Sequence, residues 1–171
     1  TLGYGTENIE LELLTGINSR FFSFDDMIYG WEQEKLLTYP STDSRYISDD
    51  VVSTLPERLK SVMVDEYRDL ARAILMKRPL QTRFLVDNAR VTDHHAILPT
   101  EEQPELFRLS GPERNIYDLV VRRFLAVLLP PCEYEETRLT LTVGGETFTA
   151  RGKIMKEPGW RAGYGRFLLE E

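Results

Sequence analysis

Cysteine is nearly absent: Cys132 is the one thiol in 171 residues. An internal disulfide and a cysteine-rich zinc site are therefore excluded, and a reducing cytoplasm is the expected setting. Histidine is scarce too. His94 and His95 stand alone, too few for a multi-histidine metal cage. No run of 18 apolar residues occurs, so no membrane-spanning helix is expected. Thr1 to Glu7 holds neither a base nor an apolar stretch, and no cleaved leader is expected there. Internal repeats and low-complexity tracts are missing as well. What remains is 42% apolar and 29% charged. That balance excludes a disordered or fibrous chain. It suits one ordinary domain, or one domain plus part of another, with a sizeable core.

Bases are outnumbered, 21 against 28, for a net charge of −7. Sequence-blind nucleic-acid affinity depends on Lys and Arg, so the whole-chain balance argues against it. The excess is local, however. Residues 1–39 hold seven acids and two bases, residues 40–125 hold 14 and 13, and residues 126–171 hold seven and six. The nearly balanced remainder can still present a basic groove.

The pattern predicts a mainly α chain that ends in β structure. Asp25 and Asp26 are placed to open a helix through Trp31 to Leu36. Thr38-Tyr39-Pro40 then begins a loop, because Pro40 drives Tyr39 out of helical geometry. Thr54 and Glu57 read as a capping box, followed by a short helix to about Met63. A longer helix is predicted from Asp65 to Met76, with Tyr67, Leu70, Ala71, Ile74 and Leu75 on one face. Arg83–Val86 reads as a short strand. Ser110 and Glu113 form a second capping box, opening a helix with Ile116, Leu119, Val120, Phe124, Val127 and Leu128 inward. Pro130-Pro131 ends it. Thr137–Val143 and Glu146–Met155 alternate as two strands around the turn Gly144-Gly145. The expected fold is α+β: a helical domain over 1–126 with helix-turn-helix-like packing, then a partial β domain over 127–171. A lone hairpin is marginal, so its edge invites pairing with another copy.

Two segments carry candidate chemistry. A tyrosine hydroxyl such as that of Tyr39 can attack a phosphodiester, given donors for the phosphate charge. Thr38, Thr42, Ser44 and Arg45 are such donors, and Asp43 adds a carboxylate. By composition alone a common turn explains this stretch better. The second segment is Asp93-His94-His95-Ala96-Ile97-Leu98-Pro99-Thr100. Metal binding is one reading of it. Adjacent side chains diverge and no further ligand stands at zinc spacing, so a histidine donating to phosphate, or a satisfied loop histidine, fits better.

Taken together the segments say more. Leu36-Leu37-Thr38-Tyr39-Pro40-Ser41-Thr42-Asp43-Ser44-Arg45-Tyr46 resembles the active-site tyrosine segment of type IA DNA topoisomerases, most closely the topoisomerase III branch. Val91 to Thr100 resembles that branch's second motif at the expected separation. Ile116–Ala126 resembles the helix that follows. Phe148 to Trp160, with Ala150-Arg151-Gly152-Lys153 and Pro158-Gly159-Trp160, resembles the returning strand of the arch. The likeness covers about residues 34–162, and its strength lies in four motifs in one order.

The resemblance implies an isomerase that opens and rejoins one DNA strand through a 5′-phosphotyrosyl link, passing another strand and relaxing or decatenating DNA. Tyr39 is then the nucleophile. His94, Arg45, Ser41, Thr42 and Ser44 are implied at the phosphate, with Asp43 and His95 in support. Mg2+ is implied for the complete enzyme, held by an acidic Toprim domain that this sequence lacks. No metal is implied here. The implied partners are single-stranded DNA and the Toprim and remaining arch domains of the same enzyme. The implied setting is nucleoid-associated in the cytoplasm, away from membranes. Ser41 departs from the family, which has an arginine there. Losing a bidentate guanidinium contact is expected to weaken cleavage at least about tenfold. Residues 1–33 match poorly. The chain alone is expected to be inactive, and a non-catalytic single-strand-binding remnant is the alternative.

Overall fold

The structure, a computed structural model, describes residues 36–38, 42 and 44–168. The helix expected from Asp25 lies outside the described residues. The described chain falls into two compact units, one up to Leu129 and one from Pro130 onward.

Unit one is helical. A 3-10 helix, Asp49–Thr54, leads directly into helix α1, Leu55–Ser61. The Ser48 hydroxyl at its start holds the Asp50 carboxyl below its ordinary range. The capping box expected at Thr54 does not form. Thr54 has helical backbone (φ −86°, ψ −18°) because the preceding helix runs straight through it. Its hydroxyl donates back to the Val51 carbonyl at 2.8 Å, and Glu57 pairs with Lys60 instead. A 3-10 turn, Asp65–Tyr67, precedes α2, Arg68–Met76. Helix α3 spans Gly111–Val127. Here the expected box is present: Glu113 accepts from the Ser110 backbone N–H at 2.7 Å and from its hydroxyl at 2.6 Å. These two bonds hold the Glu113 carboxyl below its ordinary range. Arg83–Val86 is not a strand. Leu85 and Val86 both donate to the Thr82 carbonyl as a tight turn, and one isolated parallel bridge joins Val86 to Ile47.

Helix α2 packs on both α1 and α3. Tyr67, Ala71 and Ile74 are buried as the spacing predicts, with Leu70 and Leu75 partly so. On α3 the buried stripe is rotated from expectation. Tyr117, Val121 and Leu125 join Ile116, Phe124 and Leu128 inside, while Leu119, Val120 and Val127 are only half-buried. The rotation follows Tyr117, whose large ring claims the centre and meets Tyr67 edge-on at 6.5 Å. Polar groups join the same helices. The Tyr67 hydroxyl donates to Asp118 at 2.7 Å, and Arg122 donates to both Asp118 oxygens at 2.8 Å and to Glu66 at 3.0 Å. Burial, then the Asp118 hydrogen bond, pushes the Tyr67 phenol far up.

Unit two is a two-stranded antiparallel hairpin, β1 (Glu133–Val143) and β2 (Glu146–Glu157). Both strands run further than the alternation suggested. Gly144 (φ 59°) and Gly145 (φ 85°) make the turn, the left-handed pair that matches strand twist. Leu139 lies opposite Ala150 and Leu141 opposite Phe148. Among the described residues of this unit, Leu139, Leu141, Val143, Phe148 and Ile154 are exposed on one face. A 3-10 segment, Gly159–Leu168, follows. Gly159 (φ 49°) lies against the Pro130 and Pro131 carbonyls, where any Cβ would collide, and Trp160 N–H donates to Pro130 at 2.9 Å.

Glu113→Ala is expected to cost about 1 kcal/mol at neutral pH, as for other lost caps. The carboxyl sits low in the folded state, so its contribution is present above the ordinary carboxylate range. It is lost as pH falls through the depressed value. Urea melts of both proteins at pH 7 and pH 3 check this: the difference should shrink in acid.

Candidate active site

The segments on either side of position 39 are both bound to the histidine segment. Leu37 and Pro99 form an antiparallel bridge. Thr38 N–H donates to the Leu98 carbonyl at 3.0 Å, and Thr100 N–H to the Leu36 carbonyl at 3.0 Å. The Thr38 hydroxyl accepts from Leu98 N–H at 3.1 Å. Downstream, the Thr42 hydroxyl donates to the His94 carbonyl at 3.3 Å and accepts from Ser44 N–H at 3.1 Å. The Ser44 hydroxyl is bonded to the Arg90 carbonyl at 3.0 Å, and Ala96 N–H donates to the Tyr46 carbonyl at 2.8 Å. The chain thus leaves the clamp at Thr38 and rejoins it at Thr42. Tyr39 falls between the two in the sequence.

Tyr39, Ser41 and Asp43 lie outside the described residues. Of the other expected site residues, Thr42 and His94 are brought together through backbone. The hydroxyls of Thr42 and Ser44 reach main-chain groups. The His94 side chain is exposed, as is Arg45. His95 is half-buried, with Nδ1 2.7 Å from the Ala96 carbonyl. Among the described residues, no group of three or more His, Cys, Asp or Glu is placed to hold a metal ion. No helix among them is long and apolar enough to cross a membrane.

Two residues that pattern reading missed hold this arrangement. Arg58, on α1, is 8% exposed. Its guanidinium donates to Thr54 Oγ1 at 2.8 Å and to the Pro99 carbonyl at 2.7 Å, and pairs with Glu101 at 3.0 Å. One turn on, the Ser61 hydroxyl donates to the Thr100 carbonyl at 2.6 Å. A buried charge is tolerated only when so satisfied. The signal available in the sequence was an arginine on the apolar side of a short helix. Arg90 is the second. It donates to the Tyr46 hydroxyl at 2.9 Å with its guanidinium 5.1 Å from that ring's centre. It fixes the downstream arm of the clamp.

Two other tyrosines are poor nucleophiles. Burial pushes the Tyr117 phenol far up, and Tyr67 is held as a protonated donor to Asp118.

A protein-family model described as DNA topoisomerase matches residues 25–170. Proteins named DNA topoisomerase 3 from Bacillus anthracis and Bacillus thuringiensis (strain Al Hakam) are 54% identical over 134 residues, 78% of this chain and 18% of each relative. The Bacillus subtilis (strain 168) protein of that name is 49% identical over the same share. The chain therefore spans about a fifth of the length of the curated relatives it matches. The solved structure of full-length topoisomerase I from Thermotoga maritima aligns with 76% of this chain and 19% of its own at 23% identity, with a TM-score of 0.43.

Arg58→Met is expected to cost about 1–3 kcal/mol, because the Pro99 carbonyl loses its donor in a buried place. It should also speed amide exchange at Thr38 and Thr100. Urea melts and site-resolved hydrogen exchange measure the two effects. Unchanged exchange at those amides would show that the clamp holds without Arg58.

Proposed function

This chain belongs to the DNA topoisomerase family, type IA, in the topoisomerase III branch, and we propose that it carries the strand-cleaving tyrosine, Tyr39, of such an enzyme. The observation that supports this reading is the clamp: Leu36–Thr38 and Thr42–Tyr46 are both hydrogen-bonded to the segment that carries His94. A nucleophile flanked in sequence by two held segments costs less entropy to place for attack.

In this reaction the Tyr39 oxygen attacks a backbone phosphorus. Its proton is lost, the phosphotyrosyl bond forms to the 5′ side, and the 3′ oxygen leaves and takes up a proton. Rejoining reverses each step, so the phosphodiester energy is kept and no nucleotide is hydrolysed. His94 and Arg45, exposed beside the loop, are assigned to the phosphate with Ser41. Thr42 and Ser44 act on it through the backbone they hold, and Asp43 and His95 support the loop. Mg2+, which would neutralise phosphate charge in the complete enzyme, is assigned to carboxylates outside this chain. The described residues offer no set to hold it, so no step here passes through it. The substrate is single-stranded DNA, the partners are the Toprim and remaining arch domains, and the setting is the bacterial nucleoid. The exposed hairpin face is assigned to the arch. Self-association of separate chains is the competing outcome, visible as a dimer in sedimentation.

Ser41 favours a second reading, a single-strand-binding remnant without chemistry. In a complete enzyme carrying this segment, Tyr39→Phe is expected to abolish covalent capture of DNA, read as a protein–DNA adduct on a denaturing gel. Persistent capture rejects Tyr39 as the nucleophile. Ser41→Arg is expected to raise cleavage at least about tenfold by restoring a bidentate phosphate contact. No rise would show that the serine is not what limits the reaction.

A further inference from the structure

In the helical unit, six bases of the described residues meet an acid. Arg58, Lys60, Arg90, Arg108, Arg114 and Arg122 each lie within 4.0 Å of a carboxylate. One stretch holds none of these pairs. Residues 68–84 hold five bases, Arg68, Arg72, Lys77, Arg78 and Arg83, against the single acid Asp69. All five are exposed, and none reaches a carboxylate among the described residues. Arg68 and Arg72 stand one turn apart on α2, on the same side of the helix. Lys77 and Arg78 continue past its end, where helix-terminal carbonyls already favour cations. That effect accounts for two charges and not for five. Beside them, Phe84 is 44% exposed and lies 5.6 Å under the Arg83 guanidinium. Its ring is thus held in place with part of its surface open to solvent.

Unpaired cations gathered on one stretch cost self-repulsion, and here five stand against one acid. Lys and Arg without acids, interleaved with an accessible aromatic ring, suit a flexible polyanion whose units carry flat rings. The phosphates meet the cations and a base stacks on the ring. We propose that Arg68, Arg72, Lys77, Arg78, Arg83 and Phe84 form a sequence-independent contact surface for single-stranded nucleic acid, separate in its hydrogen bonding from the clamp around Tyr39. The proposal rests on the assignment of DNA as the substrate. It adds a place where a strand is held without being cut.

The test measures binding of a fluorescent single-stranded oligonucleotide to the 171-residue chain between 50 and 200 mM salt. Each phosphate contact on a single strand contributes about 0.7 to the slope of log affinity against log salt. Lys77→Gln/Arg78→Gln/Arg83→Gln should therefore lower the slope by about 2. None of these side chains is buried, and an unchanged circular dichroism spectrum confirms folding. Phe84→Ala should weaken binding at least about fivefold with the slope unchanged, the signature of a lost stack. A slope unaffected by the triple change overturns the surface. So does tighter binding to polyglutamate than to the oligonucleotide, which would mark an acidic protein partner. Covalent capture by the complete enzyme, at saturating oligonucleotide, reads the Tyr39 assignment separately. Capture with an unchanged slope rejects only this surface. A changed slope without Tyr39-dependent capture rejects only the chemistry.

Discussion

Thr38 and Leu98 stand sixty residues apart in the chain, yet three hydrogen bonds tie their neighbourhoods into a short antiparallel ladder. Closing so long a loop carries an entropic cost, and the ladder alone is too small to meet it. Arg58 reinforces the ladder. Buried on α1, it donates to the Pro99 carbonyl and pairs with Glu101, while Ser61 takes the next carbonyl. Helix α1 thereby becomes the backing plate of the ladder. The apolar residues of the same stretches, Leu36, Leu37, Ile47 and Leu98, enter the core. The paired segments are thus continuous with the fold of the unit.

The remaining elements are arranged to keep α1 in place. Helix α2 contacts both α1 and α3. The Tyr67–Asp118–Arg122–Glu66 network sets α2 against α3 by polar contacts with defined geometry. Apolar burial alone would leave the helices freer to slide, since it has no direction. The buried stripe of α3 runs through Tyr117, Val121 and Leu125. The bulk of Tyr117 and the edge it presents to Tyr67 decide which of several apolar faces turns inward.

The charges divide the unit by task. Where bases pair with acids far along the chain they fix segments to one another, as Arg58 does with Glu101 and Arg122 with Glu66. Where they do not pair, along Arg68 to Arg83, they leave a positive surface on a chain whose total charge is negative. Net charge is therefore a poor guide to what this protein can bind. The positions of five cations matter more than an excess of seven acids, much of it in residues 1–39.

Local rules determined a good part of this protein. The Gly144-Gly145 turn needs two left-handed residues and has them. The Ser110 and Glu113 box needs only its own three-residue spacing, and Tyr67, Ala71 and Ile74 need only helical periodicity. The family was legible because four short motifs keep their order, and the tyrosine and histidine segments could be named as a pair. What the sequence could not reveal depended on partners far along the chain. Thr54 lost its cap because the preceding residues were already helical and Arg58 claimed its hydroxyl. Arg83–Val86 became a turn because Ile47 offers it one bridge and no strand. Arg58 and Arg90 matter only once Pro99, Glu101 and Tyr46 stand beside them. Only the tertiary fold brings those groups within hydrogen-bonding distance, since such bonds act over about 3 Å whatever the separation in sequence.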